Sequence, residues 1–167
     1  GAQKNMGPAG VTMVIIKDEI LGHTGRKIPT MLDYRTHIEA ESMFNTPPVF
    51  PIYVSMLTLQ WLKDNGGVAW IEKINQQKAD LLYNEIDRNP LFKGTAAVED
   101  RSNMNPTFLL TDESKTEQFD KMWKAAGISG LPGHRSVGGY RASMYNAMPI
   151  ESVQVLVDVM KEFERKA

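Results

Sequence analysis

Val68–Arg88 reads VAWIEKINQQKADLLYNEIDR, and its reading decides the fold. Val68, Ile71, Ile74, Leu81 and Ile86 recur at the spacing of one helical face, and Asn89-Pro90 stops the pattern because proline cannot continue a helix. At 21 residues this is the longest helix the sequence predicts, long enough to connect two domains. The texture changes after Pro90, so the domain boundary is placed near residue 90.

Downstream, Gly94–Val98 and Thr107–Thr111 predict strands with a turn at Ser102–Pro106 between them. Lys115–Ala126 places Phe119, Met122 and Trp123 at helical spacing, and Gly127 is a natural C-terminal cap. Ile128–Leu131 and Tyr140–Tyr145 are further strand candidates, and Ile150–Lys166 closes the chain as an amphipathic helix after Pro149. Such an order predicts an α+β layer with helices on one face of a sheet. Upstream, Pro51 suits a first helical turn, and Ile52, Met56, Leu59 and Leu62 continue a helix up to Asn65-Gly66-Gly67. Residues 23–48 read as extended loop, and Asp18–Leu21 as one helical turn. Val11–Ile16, VTMVII, reads as a strand buried on both faces. The three tryptophans fall on apolar helix faces and read as core.

With 167 residues, 42% hydrophobic and 23% charged, the chain has the composition of a globular protein with a real core. A net charge of -1 gives no reason to expect nucleic acid or an anionic membrane, so any anion site must be local. There is no cysteine, hence no disulfide framework, no thiolate metal site and no thiol nucleophile. No metal-binding or Walker pattern is present, and no metal site is expected. No apolar run approaches a membrane helix, and a cytoplasmic setting is inferred from these absences. The chain opens at Gly1 without an initiator methionine, which reads as the back half of a larger enzyme.

Three stretches carry possible chemistry. Gly1-Ala2-Gln3-Lys4-Asn5-Met6-Gly7-Pro8-Ala9-Gly10 holds a lysine among small, turn-forming residues. Desolvation or a neighbouring cation can convert such an amine, ordinarily protonated to a pKa of about 10.4, into a nucleophile for a carbonyl. A surface lysine is the plainer description of the same residues. Gly130–Arg141, GLPGHRSVGGYR, sets His134, Arg135 and Arg141 in a glycine-rich loop. Arginine forks suit carboxylate or phosphate, and two of them could grip both ends of a dianion. The same composition also describes a turn whose arginines pair with neighbouring carboxylates. Met43–Pro48, MFNTPP, offers an amide, a hydroxyl and backbone donors for a phosphate, or else a stiff linker into a helix.

Taken together, these stretches resemble the phosphoserine aminotransferase family of fold-type I enzymes that use pyridoxal 5′-phosphate. The resemblance lies in Gly1–Asn5 with Gly7–Gly10, in Phe44–Pro48, and in Gly133–Pro149 (GHRSVGGYRASMYNAMP), in that order along the chain. It implies an α/β fold, a partial PLP-transferase fold type I. Residues 1–90 would be the C-terminal remnant of the large cofactor-binding domain with its connecting helix, and 91–167 the small C-terminal α+β domain. It implies that Lys4 is the catalytic and cofactor-linked lysine, with Gln3 beside it. Asn45 and Thr46 would contact the cofactor phosphate of a neighbouring subunit, which makes the enzyme a homodimer with shared active sites. His134 and Arg135 would hold the substrate phosphate or the side-chain carboxylate of glutamate, and Arg141 the α-carboxylate. The implied reaction, in serine biosynthesis, moves an amino group between glutamate and 3-phosphohydroxypyruvate, giving phosphoserine and 2-oxoglutarate. In the family, a front half of comparable length carries the groups that stack on the cofactor ring and pair with its nitrogen, so this chain alone is expected to be inactive. The alternatives are another fold-type I aminotransferase or a non-catalytic C-terminal fragment. A further role in vitamin B6 synthesis, as in some relatives, is left open.

Overall fold

The 68–88 run is helical from end to end in the computed structural model, which describes residues 1–167. The helices are α1 (Tyr34–Glu39), α2 (Val49–Asp64), α3 (Gly67–Arg88), α4 (Thr116–Ala125) and α5 (Ile150–Lys166). The strands are β1 (Phe92–Gly94), β2 (Thr107–Leu110) and β3 (Tyr140–Arg141). Contacts divide the chain into two compact units, Gly1–Trp61 and Leu62–Ala167. The division falls ahead of the boundary expected near residue 90 because α3 packs against α5 and β1, and so travels with the second unit.

In the second unit β1, β2 and β3 form an antiparallel sheet in that order, registered by Phe92↔Leu110 and Phe108↔Tyr140. Phe92, Phe108 and Tyr140 are buried together with Phe119 of α4 and Val157, Met160 and Phe163 of α5. The Phe119 ring stands 5.1 Å from the rings of Phe92, Tyr140 and Phe163, edge-on or tilted as aromatic quadrupoles prefer. The opposite sheet face, with Leu109, is exposed, so this is a two-layer α+β unit. α4 ends in a Schellman motif: the Gly127 N–H donates to Lys124 O and the Ile128 N–H to Trp123 O, with Gly127 at φ +78°.

The buried stripe of α3 is less apolar than its sequence suggests. Ile71 and Ile86 are buried, but Val68 is exposed, and Asn75, Lys78 and Glu85 occupy buried positions of the same face. Asn89 ends the helix and is itself buried. Its amide donates to Glu85 Oε1 at 2.9 Å and Met160 O at 3.2 Å, and its oxygen accepts from the Leu91 N–H at 3.1 Å. Every polar atom of that amide is satisfied, which lets it tie α3 to α5 inside the core.

Several expected elements differ. The first strand begins at Phe92, not Gly94, because the phenylalanine takes the core position while Val98 lies in an exposed turn. Ile128–Leu131 is not a strand, although Pro132 bridges to Tyr140, and the expected 140–145 strand is ladder-paired only at Tyr140–Arg141. In the first unit Val11–Ile16 pairs with no strand and is largely exposed, Ile15 at 92%, since this chain supplies no neighbouring strand for it. The 23–48 loop contains α1, capped by the Asp33 carboxylate on the Arg35 N–H. Trp123 is buried as expected; Trp61 is exposed.

Candidate active site

Within the first unit, the segment around Lys4 is a closed turn. The buried Ala2 donates its N–H to Val11 O at 2.8 Å, and its carbonyl accepts from the N–H groups of Met6 and Gly7, both at 2.9 Å. Gln3 and Lys4 stand exposed on this turn. Gly7 closes it against α2 at φ +151°, where a Cβ would lie 2.5 Å from Ser55 Oγ. Only glycine permits that approach. Asn45 and Thr46 are also exposed, ahead of the first turn of α2. They make no hydrogen bond to Gln3 or Lys4; the one contact from Asn45 is a long 3.9 Å approach to Met31 Sδ.

Within the second unit, His134, Arg135 and Arg141 share one hairpin. The Arg141 N–H donates to Leu131 O and the Gly133 N–H to Gly139 O, both at 2.8 Å, and the N–H groups of Val137 and Gly138 fold onto His134 O. A Cβ at Gly133 would sit 2.2 Å from Gly138 O, and Gly139, at φ +65°, would drive one to 2.8 Å from Phe108 O. The glycines are therefore demanded by close backbone approach, and the loop conformation is fixed by them.

That hairpin also fixes the chemistry of its side chains. His134 Nδ1 lies 2.7 Å from Ser136 Oγ and 3.3 Å from the Ser136 amide. An amide N–H only donates, so Nδ1 of the neutral ring is the acceptor and Nε2 carries the proton, ready to donate. Ser136 was not among the residues the sequence singled out; its spacing two residues after His134 is the available signal.

Arg35 is paired with Asp33 at 2.6 Å, and the exposed Arg26 with no carboxylate. Arg88 is paired with Glu85 and Glu164 at 2.7 and 2.6 Å, Arg101 with Asp87 at 2.7 Å, and Arg165 with Glu162. Arg135 and Arg141 have no carboxylate within ion-pair distance. Arg141 is exposed between buried Tyr140 and Ala142, and lines a cavity of about 310 Å³ with Ser129, Met144, Met148 and Leu156. Two guanidinium forks and a histidine thus stand on one hairpin without a carboxylate from this chain. Beneath it, Asp120 Oδ1 accepts from Tyr140 OH and Trp123 Nε1, both at 2.9 Å. Burial, and then that carboxylate, push the Tyr140 phenol above its ordinary range.

A lysine on a closed turn, a glycine-rich hairpin with two arginines and a mixed helix and sheet chain are the setting for the family to which the sequence aligns. The chain belongs to the class-V aminotransferases, whose family model matches residues 1–156. Among curated relatives, the phosphoserine aminotransferase of Flavobacterium psychrophilum is 76% identical over 166 residues, covering 99% of this chain and 47% of that protein. A solved phosphoserine aminotransferase from Bacillus circulans subsp. alkalophilus superposes with a TM-score of 0.94 at 44% identity, over 99% of this chain and 46% of that one. The PLP-bound phosphoserine aminotransferase of Trichomonas vaginalis gives 0.88 at 38% identity, over 96% and 46%. The chain spans about half the length of the curated relatives it matches. No helix is long and apolar enough to cross a membrane.

Proposed function

We propose that the whole protein is a pyridoxal 5′-phosphate-dependent phosphoserine transaminase of serine biosynthesis. It exchanges an amino group between glutamate and 3-phosphohydroxypyruvate, giving phosphoserine and 2-oxoglutarate. The observation that carries this reading is the pair of arginines, Arg135 and Arg141, left without internal carboxylates on one glycine-fixed hairpin. Both substrates are dianions or more highly charged, and carboxylate and phosphate present similar paired oxygens to an arginine fork.

The residues present fit the cofactor. Lys4 offers a primary amine on a turn whose close approach to α2 excludes a Cβ at Gly7, and Asn45 and Thr46 offer amide and hydroxyl donors for a phosphate. The bound cofactor supplies an electron sink for the charge developing at the substrate Cα. Lys4 would hold the cofactor and move the substrate Cα proton, and Gln3 would contact the cofactor from the same turn. Arg141 orients the substrate by its α-carboxylate. Arg135 and the Nε2–H of His134 grip the phosphate of one substrate and the distal carboxylate of the other.

A homodimer in the cytoplasm completes the reading, with Asn45 and Thr46 serving the partner subunit's cofactor. Support comes from α2, which begins just after them and exposes Val49, Phe50, Tyr53 and Met56, an apolar strip of the kind that interfaces cover. The test is the Lys4→Ala variant of the whole protein, assayed for amino transfer from glutamate to 3-phosphohydroxypyruvate. Abolished transfer is expected, and wild-type turnover would refute the assignment. Arg135→Ala is expected to weaken phosphoserine more than unphosphorylated amino acids; equal loss for both would point to an aminotransferase of undecorated substrates.

A further inference from the structure

Lys78 is fully buried, at 0% exposure, in the middle of α3, and no carboxylate pairs with it. Its ammonium donates to three backbone carbonyls: Tyr145 at 3.0 Å, Met148 at 3.1 Å and Met144 at 3.4 Å. Three N–H donors meet three acceptors, so the cation is saturated by one short stretch of chain. That stretch follows Arg141 directly. One turn earlier on α3, Asn75, also buried, donates to Asn146 Oδ1 at 2.8 Å. On the other side, the N–H groups of Ala142 and Met144 donate to Pro106 O and Met104 O at 3.0 and 2.8 Å.

Neither helix stability nor charge balance accounts for this lysine. Pro149 caps the N-terminus of α5, so the cation lies by the positive end of that helix dipole. Burial of an ammonium without a counterion is costly, and removes the usual reason for a lysine in a core. What the cation does hold is the strand exit behind Arg141 and, with Met144 and Met148, one wall of the cavity that Arg141 lines. β3 is ladder-paired only at Tyr140 and Arg141; beyond the arginine the Ala142 and Met144 N–H groups hold the chain to the 104–106 segment, and Lys78 and Asn75 are what hold it to α3.

We propose that Lys78 is a positioning residue for substrate binding: its ammonium clamps the carbonyls of Met144, Tyr145 and Met148 to α3, and so sets the backbone that aims Arg141. The inference rests on the reading of Arg141 as the carboxylate-binding arginine. The test uses the whole protein loaded with pyridoxal phosphate, in four forms: wild type, Arg141→Ala, Lys78→Met and Lys78→Ala. Lys78→Met keeps the volume and removes the charge. It is expected to raise KM for both glutamate and phosphoserine about tenfold, with kcat within about threefold and an unchanged cofactor absorption band. Lys78→Ala leaves room among the carbonyls, and added ammonium or methylammonium is expected to lower its KM back toward wild type. If Arg141→Ala raises both KM values and Lys78→Met does not, the positioning role is overturned while the reading of Arg141 stands. If Arg141→Ala leaves KM unchanged, that reading falls and takes the inference with it. Loss of folding in both Lys78 variants that ammonium does not reverse would assign the residue to stability alone, and overturn the proposal.

Discussion

Gly7 rests directly on Ser55, so close that a Cβ at Gly7 would stand 2.5 Å from Ser55 Oγ and 2.9 Å from Ser55 Cα. The turn presenting Lys4 is thereby docked on the middle of α2. Gly7→Ala must either lift that turn or bend the helix, and its φ of +151° adds backbone strain of about 1–3 kcal/mol. The expected outcome, measured by initial rates of the whole protein, is a fall in kcat of about tenfold or more as the amine is displaced. Ser55→Ala is not expected to rescue it, because the contact with Ser55 Cα remains. Alone, Ser55→Ala is expected to leave stability unchanged or improved, since the buried hydroxyl has no hydrogen-bond partner to lose.

How much of this was legible depends on whether a signal was local. The long helix, its stop at Asn89-Pro90 and the Gly127 cap follow from spacing and backbone chemistry within a few residues, and were readable. The glycine hairpin was readable as a loop with two arginines and a histidine, but not whether those arginines meet carboxylates of this chain. Whether Arg135 and Arg141 meet carboxylates depends on distant chain, as the pairing of Arg101 with Asp87 illustrates. Val11–Ile16 failed for the opposite reason: a β-rich run states a preference, while a strand requires a neighbour to pair with. Lys78 was hidden by its type. Its place on the buried face with Ile71, Asn75 and Leu82 was a helical-period signal that a lysine is easily denied.

Asp120 gathers two buried donors beneath the glycine hairpin, and its removal would strand both. Asp120→Ala is expected to cost about 2–4 kcal/mol, because the Trp123 indole and the Tyr140 hydroxyl each lose their acceptor. Asp120→Asn keeps an amide oxygen in place and should cost less than half as much. Urea unfolding followed by tryptophan fluorescence separates the two. Spectrophotometric titration of the wild type should show Tyr140 ionising above the ordinary tyrosine range, since burial and then Asp120 push its phenol upward; in Asp120→Ala that shift should shrink.

Phe119 is the point where sheet and helices meet, with three aromatic rings at 5.1 Å and no exposed surface. Phe119→Ala is expected to destabilise the second unit by about 3–5 kcal/mol, through lost transfer free energy and an unfilled cavity. Phe119→Leu, which refills most of that volume, should recover more than half. A chemical denaturation series on the two variants reads the difference.

The buried ammonium of Lys78 carries a pH signature of its own. Burial pushes its pKa below the ordinary lysine range, so the folded chain releases this proton more readily than the unfolded chain. Between the lowered folded value and the unfolded value of about 10.4, the unfolded state binds more protons, and stability therefore rises with pH across that window. Below the folded value the desolvation cost is felt in full and does not vary with pH. Wild-type stability relative to Lys78→Met is thus expected to climb with pH below about pH 10, with a slope no steeper than about 1.4 kcal/mol per pH unit for one proton. Denaturation curves of the two proteins over that range provide the measurement. A difference that falls with rising pH would mean that the three carbonyls hold the proton more tightly than water does, reversing the assigned direction.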